Sequence, residues 1–187
     1  MGKHEVAALR RAVFLDRDGT LTRAIVRDGR PYPPVRPADL QLVDDAVVAC
    51  QRLKAAGFLL VLATNQPDVG RGTQRREIVE EMHAQLMREV PLDRIEVSYD
   101  AGDVPSEFRK PAPGMLLRAA RELGIDLTRS FMVGDRWRDI DCGHAAGCQT
   151  VWIDCDYREE LRQPPDFRVK TLHEAANVIL AATQQMS

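Results

Sequence analysis

Five short apolar runs, separated by helical patterns, constrain the fold of this chain more than any other feature. They are AVFLD (12–16), FLLVLATN (58–65), IEVSYD (95–100), SFMVGD (130–135) and TVWID (150–154). Most are near-continuous rather than alternating, as strands are when both faces of a parallel sheet are covered. Between them, DDAVVACQRLKAAG sets Val47, Cys50 and Leu53 on one helical face and stops at Gly57, a C′ glycine. TQRREIVEEMHAQLMREV repeats Ile78, Met82 and Leu86 at helical spacing, with a solvated charged face. PGMLLRAARELG has Pro113 where N1 is expected and Gly124 at its end. TLHEAANVILAA opens with Thr171 and Glu174 at capping-box spacing. This alternation predicts an α/β fold, a three-layer doubly wound parallel sheet, in a single domain over residues 1–187.

One segment departs from the alternation. Residues 22–42 contain Pro31, Pro33, Pro34 and Pro37 and are too polar and Pro-rich for a helix. They are long for a passive connection, so a loop shaping a pocket mouth is expected there. Arg30 and Tyr32 would touch a sugar in such a loop, while Gly and Pro make the same turns with no ligand.

Composition excludes several functional classes. The chain has 44% hydrophobic and 29% charged residues, enough for a core and a solvated surface. A formal net charge of -2 argues against a nucleic-acid partner. No apolar run is long enough to span a bilayer. MGKHEVAALRRA lacks the apolar core of a signal peptide, and Val6 stands where a myristoylation motif needs Ser or Thr. A cytoplasmic, monomeric protein is the expectation. Cys50, Cys142, Cys148 and Cys155 form no CxxC pair and read as reduced thiols in the interior.

In an open α/β sheet, ligands bind outside the carboxyl ends of the strands. The first run ends in Asp16, Asp18 and Thr20, and the second in Thr64 and Asn65. Arg109 and Lys110 precede a helix after the third, and the fourth ends in Asp135 and Asp139. Such carboxylates suit Mg²⁺, a hard ion that takes one or two of them plus phosphate and water. Lys110 supplies a point charge for phosphate, and Thr64 a hydroxyl. A carboxylate that attacks phosphorus forms an acyl-phosphate, and a second acid two residues on can move the protons. Each residue also has a plainer reading. Asp16 and Asp18 alone would be a strand-end turn, Lys110 and Arg109 solvated surface cations, and Asp139 a helix N-cap. Asp154 and Asp156 read as turn residues and Trp137 as packing. His4, His83, His144 and His173 fall outside the strand-end set and are assigned no catalytic role.

DRDGT after the first strand, TNQ after the second, RKP before a helix and GDRWRD after the fourth resemble the four motifs of the haloacid dehalogenase (HAD) phosphohydrolase superfamily. FLDRDGTL, LKAAGFLLVLATNQPDVGRG, RKPAPGMLLRAARELGID and FMVGDRWRDI are similar to its small-cap subfamily of D-glycero-D-manno-heptose 1,7-bisphosphate and histidinol-phosphate phosphatases. The resemblance implies a Mg²⁺-dependent phosphatase without a separate cap domain, acting on a small phosphate ester of carbohydrate metabolism. It implies Asp16 as nucleophile and metal ligand, and Asp18 as general acid/base with its backbone carbonyl on the metal. Asp135 completes the metal ligands. Thr64 and Asn65 bind the transferring phosphate, and Lys110 neutralises it. Arg109 reaches the far part of the substrate, Asp139 holds Lys110 or a metal-bound water, and Thr20 supports Asp18. The subfamily's zinc loop of three Cys and a His has no counterpart in VSYDAGDVPSEFRKP, so structural zinc is not expected. Histidinol phosphate, another small phosphomonoester, or a non-catalytic ligand-binding protein on the same fold are the alternatives.

Overall fold

The computed structural model describes residues 9–185, so the readings of His4 and Val6 lie outside the described residues. Six parallel strands form the central sheet: β1 (Ala12–Leu15), β4 (Leu59–Asn65), β5 (Arg94–Ser98), β6 (Phe131–Gly134), β7 (Gln149–Ile153) and β8 (Phe167–Val169). Their order is β5-β4-β1-β6-β7-β8. The chain therefore winds outward from β1 in both directions, and the reversal opens a crevice at the carboxyl ends of β1, β4 and β6.

Alternating residues of each strand face opposite layers. Val13 and Leu15 of β1, with Leu60 and Leu62 of β4, pack against α1 (Ala46–Ala55), α3 (Arg76–Glu89) and α6 (Leu172–Gln185). Ala12, Phe14, Leu59, Val61 and Ala63 face α4 (Gly114–Leu123) and α5 (Trp137–Ala146). All four β1 side chains are fully buried, which explains the unbroken apolar run. Each large one contributes about 1.5–3 kcal/mol through burial. A three-layer doubly wound sheet is what the sequence predicted.

Several local expectations are corrected. Helix α1 turns Ala46, Ala49, Cys50 and Leu53 to the core and leaves Val47 only half-buried. Small alanines let this helix approach the sheet. Pro113 is the N-cap of α4, not its first helical residue, and Gly124 closes the helix in the left-handed conformation. At α6 the Glu174 amide donates to Thr171 Oγ1 at 3.1 Å, while the Glu174 carboxylate accepts from the Lys170 amide at 2.8 Å instead of that of Thr171. Within the Pro-rich segment, β2 (Ile25–Arg27) and β3 (Arg30–Tyr32) form an antiparallel hairpin. Its two-residue turn, Asp28-Gly29, has φ of 51° and 72°, the pattern of a tight hairpin turn. A short helix, α2 (Pro67–Gly70), follows β4.

Cys50, Cys142 and Cys148 are buried and Cys155 half-buried, all as free thiols. Arg138 and Arg162 lie over the Trp137 ring, 4.7 and 3.4 Å from its centroid. Asp154, expected as a turn residue, also holds β8 by accepting from Arg168 Nε at 3.1 Å and Lys170 Nζ at 3.0 Å. No helix among the described residues is long and apolar enough to cross a membrane.

Candidate active site

The carboxyl ends of β1, β4 and β6 bring Asp16, Lys110, Asp135 and Asp139 together. The Asp16 amide still bonds the Val133 carbonyl at 3.0 Å, so the sheet fixes the backbone under the carboxylate. Lys110 arrives from the turn before α4. Its backbone is clamped by the Asn65 amide, which donates to the Lys110 carbonyl at 3.0 Å and accepts from its N–H at 3.0 Å. The buried ammonium then donates to Asp16 Oδ1 at 2.6 Å, Asp139 Oδ1 at 2.6 Å and the Ala63 carbonyl at 2.7 Å. Those three bonds use all its hydrogens. Asp139 sits in the first turn of α5, where its second oxygen accepts from the Arg136 amide at 3.0 Å. Asp139 is therefore not the N-cap of α5, which is Arg136, but the third helical residue: one of its oxygens caps the helix start and the other holds Lys110.

Asp135 is buried, and neither of its oxygens has a hydrogen-bond partner among the described residues. Such orphaned acceptors are costly unless something completes them. Asp16, Asp135 and Asp139 each offer an oxygen within 4.8 Å of the others. Lys110 pairs with Asp16 and Asp139 but not with Asp135, so three carboxylates cluster around one buried ammonium and outnumber it by two charges when all are ionised. Burial, opposed by Lys110, pushes the Asp16 carboxyl up to about 6. Burial, then Asp16 and Asp139, raise Asp135 well above the ordinary carboxylate range. Burial works against the Lys110 ammonium, but Asp139 and Asp16 outweigh it and raise its pKa. The charge deficit, the hard oxygen donors and the orphaned Asp135 all fit a divalent cation of the Mg²⁺ type. Gly19 makes room for Asp135: at φ 92°, a Cβ there would lie 1.9 Å from Asp135 Oδ2.

Asp18 stands beside this cluster in a separate network. Arg17 grasps its carboxylate from Nε at 3.1 Å to each oxygen and from Nη2 at 2.9 Å. Thr22 Oγ1 shares its one proton between Asp18 at 3.2 Å and the Arg17 carbonyl at 3.1 Å, and Gln66 Nε2 donates to Asp18 at 3.1 Å. Thr20 does not support Asp18: its hydroxyl is buried without a partner among the described residues, and Thr22, two positions on, takes that place. The turn after Asp18 carries Thr22 back beside it, through the Gly19 amide on the Thr22 carbonyl at 2.7 Å. Spacing alone did not reveal that fold-back, nor the roles of Arg17 and Gln66.

A cavity of about 380 Å³ opens above these residues. Asp16, Asp18, Thr64, Asn65 and Lys110 line its floor, and Pro31, Tyr32 and Pro33 of the hairpin segment form one wall. Asn65 reaches the cavity, but its amide is committed to the Lys110 backbone rather than turned to a ligand. Arg71, Arg109, Arg136 and Arg138 surround the mouth, of which the sequence pointed only to Arg109. Burial and the like charges of Arg138 and Arg71 lower the Arg109 pKa. Ser106 Oγ accepts from the Arg109 amide at 3.1 Å, and Arg109 Nη1 donates to the Asp100 carbonyl at 2.9 Å. The cavity is therefore acidic at its floor and basic at its rim.

Residues 107–175 match the model of the HAD-hydrolase-like family. The D-glycero-beta-D-manno-heptose-1,7-bisphosphate 7-phosphatase of Pasteurella multocida is 41% identical over 149 residues, 74% of this chain and 78% of that protein. The D-glycero-D-manno-heptose-1,7-bisphosphate 7-phosphatase of Thermosynechococcus vestitus is 33% identical over 91% of this chain and 95% of its own length. The crystal structure of the D,D-heptose 1,7-bisphosphate phosphatase from B. bronchiseptica, complexed with magnesium and phosphate, superimposes with a TM-score of 0.80 at 26% identity. That match covers 92% of this chain and 99% of the other. The order of the six strands, the acid–lysine cluster at their carboxyl ends and these identities agree, and the chain belongs to the HAD-like hydrolases, in the family of the heptose-bisphosphate 7-phosphatases.

Proposed function

We propose that this chain is a Mg²⁺-dependent cytoplasmic phosphatase that removes the 7-phosphate of a D-glycero-D-manno-heptose 1,7-bisphosphate. The observation that carries this reading is the acidic floor, with Asp16 held by Lys110, beneath a rim of four arginines. One phosphate of the substrate enters the floor and the other meets the rim, where a guanidinium fork matches its oxygens. The substrate named for the relatives carries two such groups.

In the first step an oxygen of Asp16 attacks phosphorus, and the bond to the sugar oxygen breaks as Asp18 gives that oxygen a proton. In the second, Asp18 takes a proton from water, whose oxygen attacks the aspartyl-phosphate and releases inorganic phosphate with Asp16 restored. Lys110 offsets the charge of the phosphate and keeps the attacking carboxylate oriented. Thr64 accepts from Gln66 Nε2 at 3.0 Å, which leaves its own O–H free to donate to a phosphate oxygen. Asn65 serves the same end indirectly, by fixing the backbone that presents Lys110. Asp16, Asp135 and the Asp18 carbonyl would hold Mg²⁺, with Asp139 kept on Lys110. Bound there, the ion supplies the positive charge that the three carboxylates lack.

Phosphate release from the heptose 1,7-bisphosphate, its two monophosphates and histidinol phosphate tests this reading, with Mg²⁺ and with EDTA. Mg²⁺-dependent turnover is expected, fastest per unit of substrate with the bisphosphate, and none with Asp16→Asn. Full activity of that variant would refute the nucleophile. Preference for histidinol phosphate would refute the substrate.

A further inference from the structure

We infer that His83, through Arg17, is a positioning residue for the proton-transferring carboxylate of Asp18. The inference rests on the proposed role of Asp18 and goes beyond it, to a residue on a helix outside the cavity.

Arg17 stands between the two acids of the DRD segment, yet it does not line the cavity. It is fully buried, which is rare for an arginine and costly unless its donors are satisfied. Nε and Nη2 bind Asp18, and Nη1 faces His83 Nε2 at 3.3 Å. His83 is itself 3% exposed, on the face of α3 that carries Val79, Met82 and Leu86 into the core. Burial, then the Arg17 charge, lower its pKa to about 4, so the ring is neutral near pH 7. A guanidinium only donates, so Nε2 is the acceptor and the ring proton lies on Nδ1. Nδ1 itself has no partner among the described residues.

The consequence is a rigid line of contact from core to reacting group. Helix α3 fixes His83, His83 fixes the open end of the guanidinium, and the guanidinium aims the Asp18 carboxylate. Thr22 and Gln66 hold that carboxylate from its other sides. Without the histidine, Nη1 loses that contact, and a long side chain regains rotamers that misdirect Asp18. A small misplacement of a general acid is expensive in rate.

The test uses leaving groups. A sugar alkoxide needs a proton to depart, whereas p-nitrophenolate leaves unaided, so damage to proton delivery falls selectively on the sugar phosphate. For His83→Leu, kcat/KM on the heptose bisphosphate should fall about tenfold and that on p-nitrophenyl phosphate less than about twofold. His83→Gln offers Arg17 an amide oxygen and should recover the sugar phosphate to within about threefold of wild type. His83→Met serves in place of the leucine variant if that one does not fold. Equal losses on both substrates, or no loss on either, would overturn the inference. Asp18→Asn separates the two levels. If it too lacks leaving-group selectivity, the reading of Asp18 has failed. If it shows selectivity and the His83 variants do not, only the positioning role has failed.

Discussion

Lys110 and His83 show how the same burial acts on two basic side chains in opposite ways. Lys110 meets two carboxylates at 2.6 Å and keeps its charge. His83 meets a cation and loses its own, with a pKa lowered from 6.5 to about 4. In the unfolded chain His83 titrates at its ordinary value, so as pH falls below 6.5 the unfolded state takes up the proton first. Stability linked to His83 is therefore fully present above pH 6.5 and lost progressively down to pH 4. The loss is about 3 kcal/mol across that window. Urea midpoints of wild type and His83→Gln, followed from pH 7 to 4, should diverge in slope, with the wild type falling more steeply. The strand-end acids and Thr64 were legible because they follow apolar runs, where an open α/β sheet puts its chemistry, and Lys110 because it stands in the RKP segment just before a helix. His83 was not. In sequence it is one polar residue among helical apolar positions, and nothing local records that an arginine sixty-six residues earlier lies against it.

At the scale of elements, the junction of β6 and α5 leaves no room for a side chain on its glycine. A Cβ on Gly134 would lie 2.3 Å from the Cβ and Cγ of Asp139. Gly134→Ala therefore pushes Asp139 away from Lys110 and from the Arg136 amide, at a cost of about 1–3 kcal/mol in overpacking. Denaturant unfolding should register that loss, and turnover should fall at least about tenfold because Lys110 loses one of its anchors. The five long strands and their helices followed from unbroken apolar runs and caps. Strand β8 did not, because three residues at a sheet edge carry too little apolar pattern. Nor did the β2–β3 hairpin. Its Asp28-Gly29 turn signal was present, but Pro31 in the next strand and its neighbouring prolines read as breakers. An edge hairpin tolerates Pro because it has a side with no ladder to complete.

For the molecule as a whole, the cluster at the sheet edge is a stability cost carried for function. Asp135, buried without a hydrogen-bond partner among the described residues, draws on a folding free energy that for a chain of this size is about 5–15 kcal/mol. Asp135→Asn should raise the melting temperature in EDTA by about 3 °C or more, at about 2–4 °C per kcal/mol. In wild type, Mg²⁺ should raise the melting temperature by binding the folded state alone, and the variant should lose that response along with its activity. Thermal melts of both proteins over a Mg²⁺ titration check the two outcomes together. A wild type indifferent to Mg²⁺ would remove Asp135 from the ion's ligands.

The order of strands and helices and the chemical identity of the floor are properties of the sequence itself. They depend on local periodicity and on which residue follows each apolar run, both written within a few positions. The basic rim, the grip of Arg17, Thr22 and Gln66 on Asp18, and the Asn65 clamp were decided only by the tertiary structure. Arg71 follows α2, Arg109 lies between β5 and α4, and Arg136 and Arg138 stand at the start of α5, three places well separated in the chain. Their convergence depends on how β4, β5 and β6 are ordered around β1, a non-local arrangement that no short window of residues encodes.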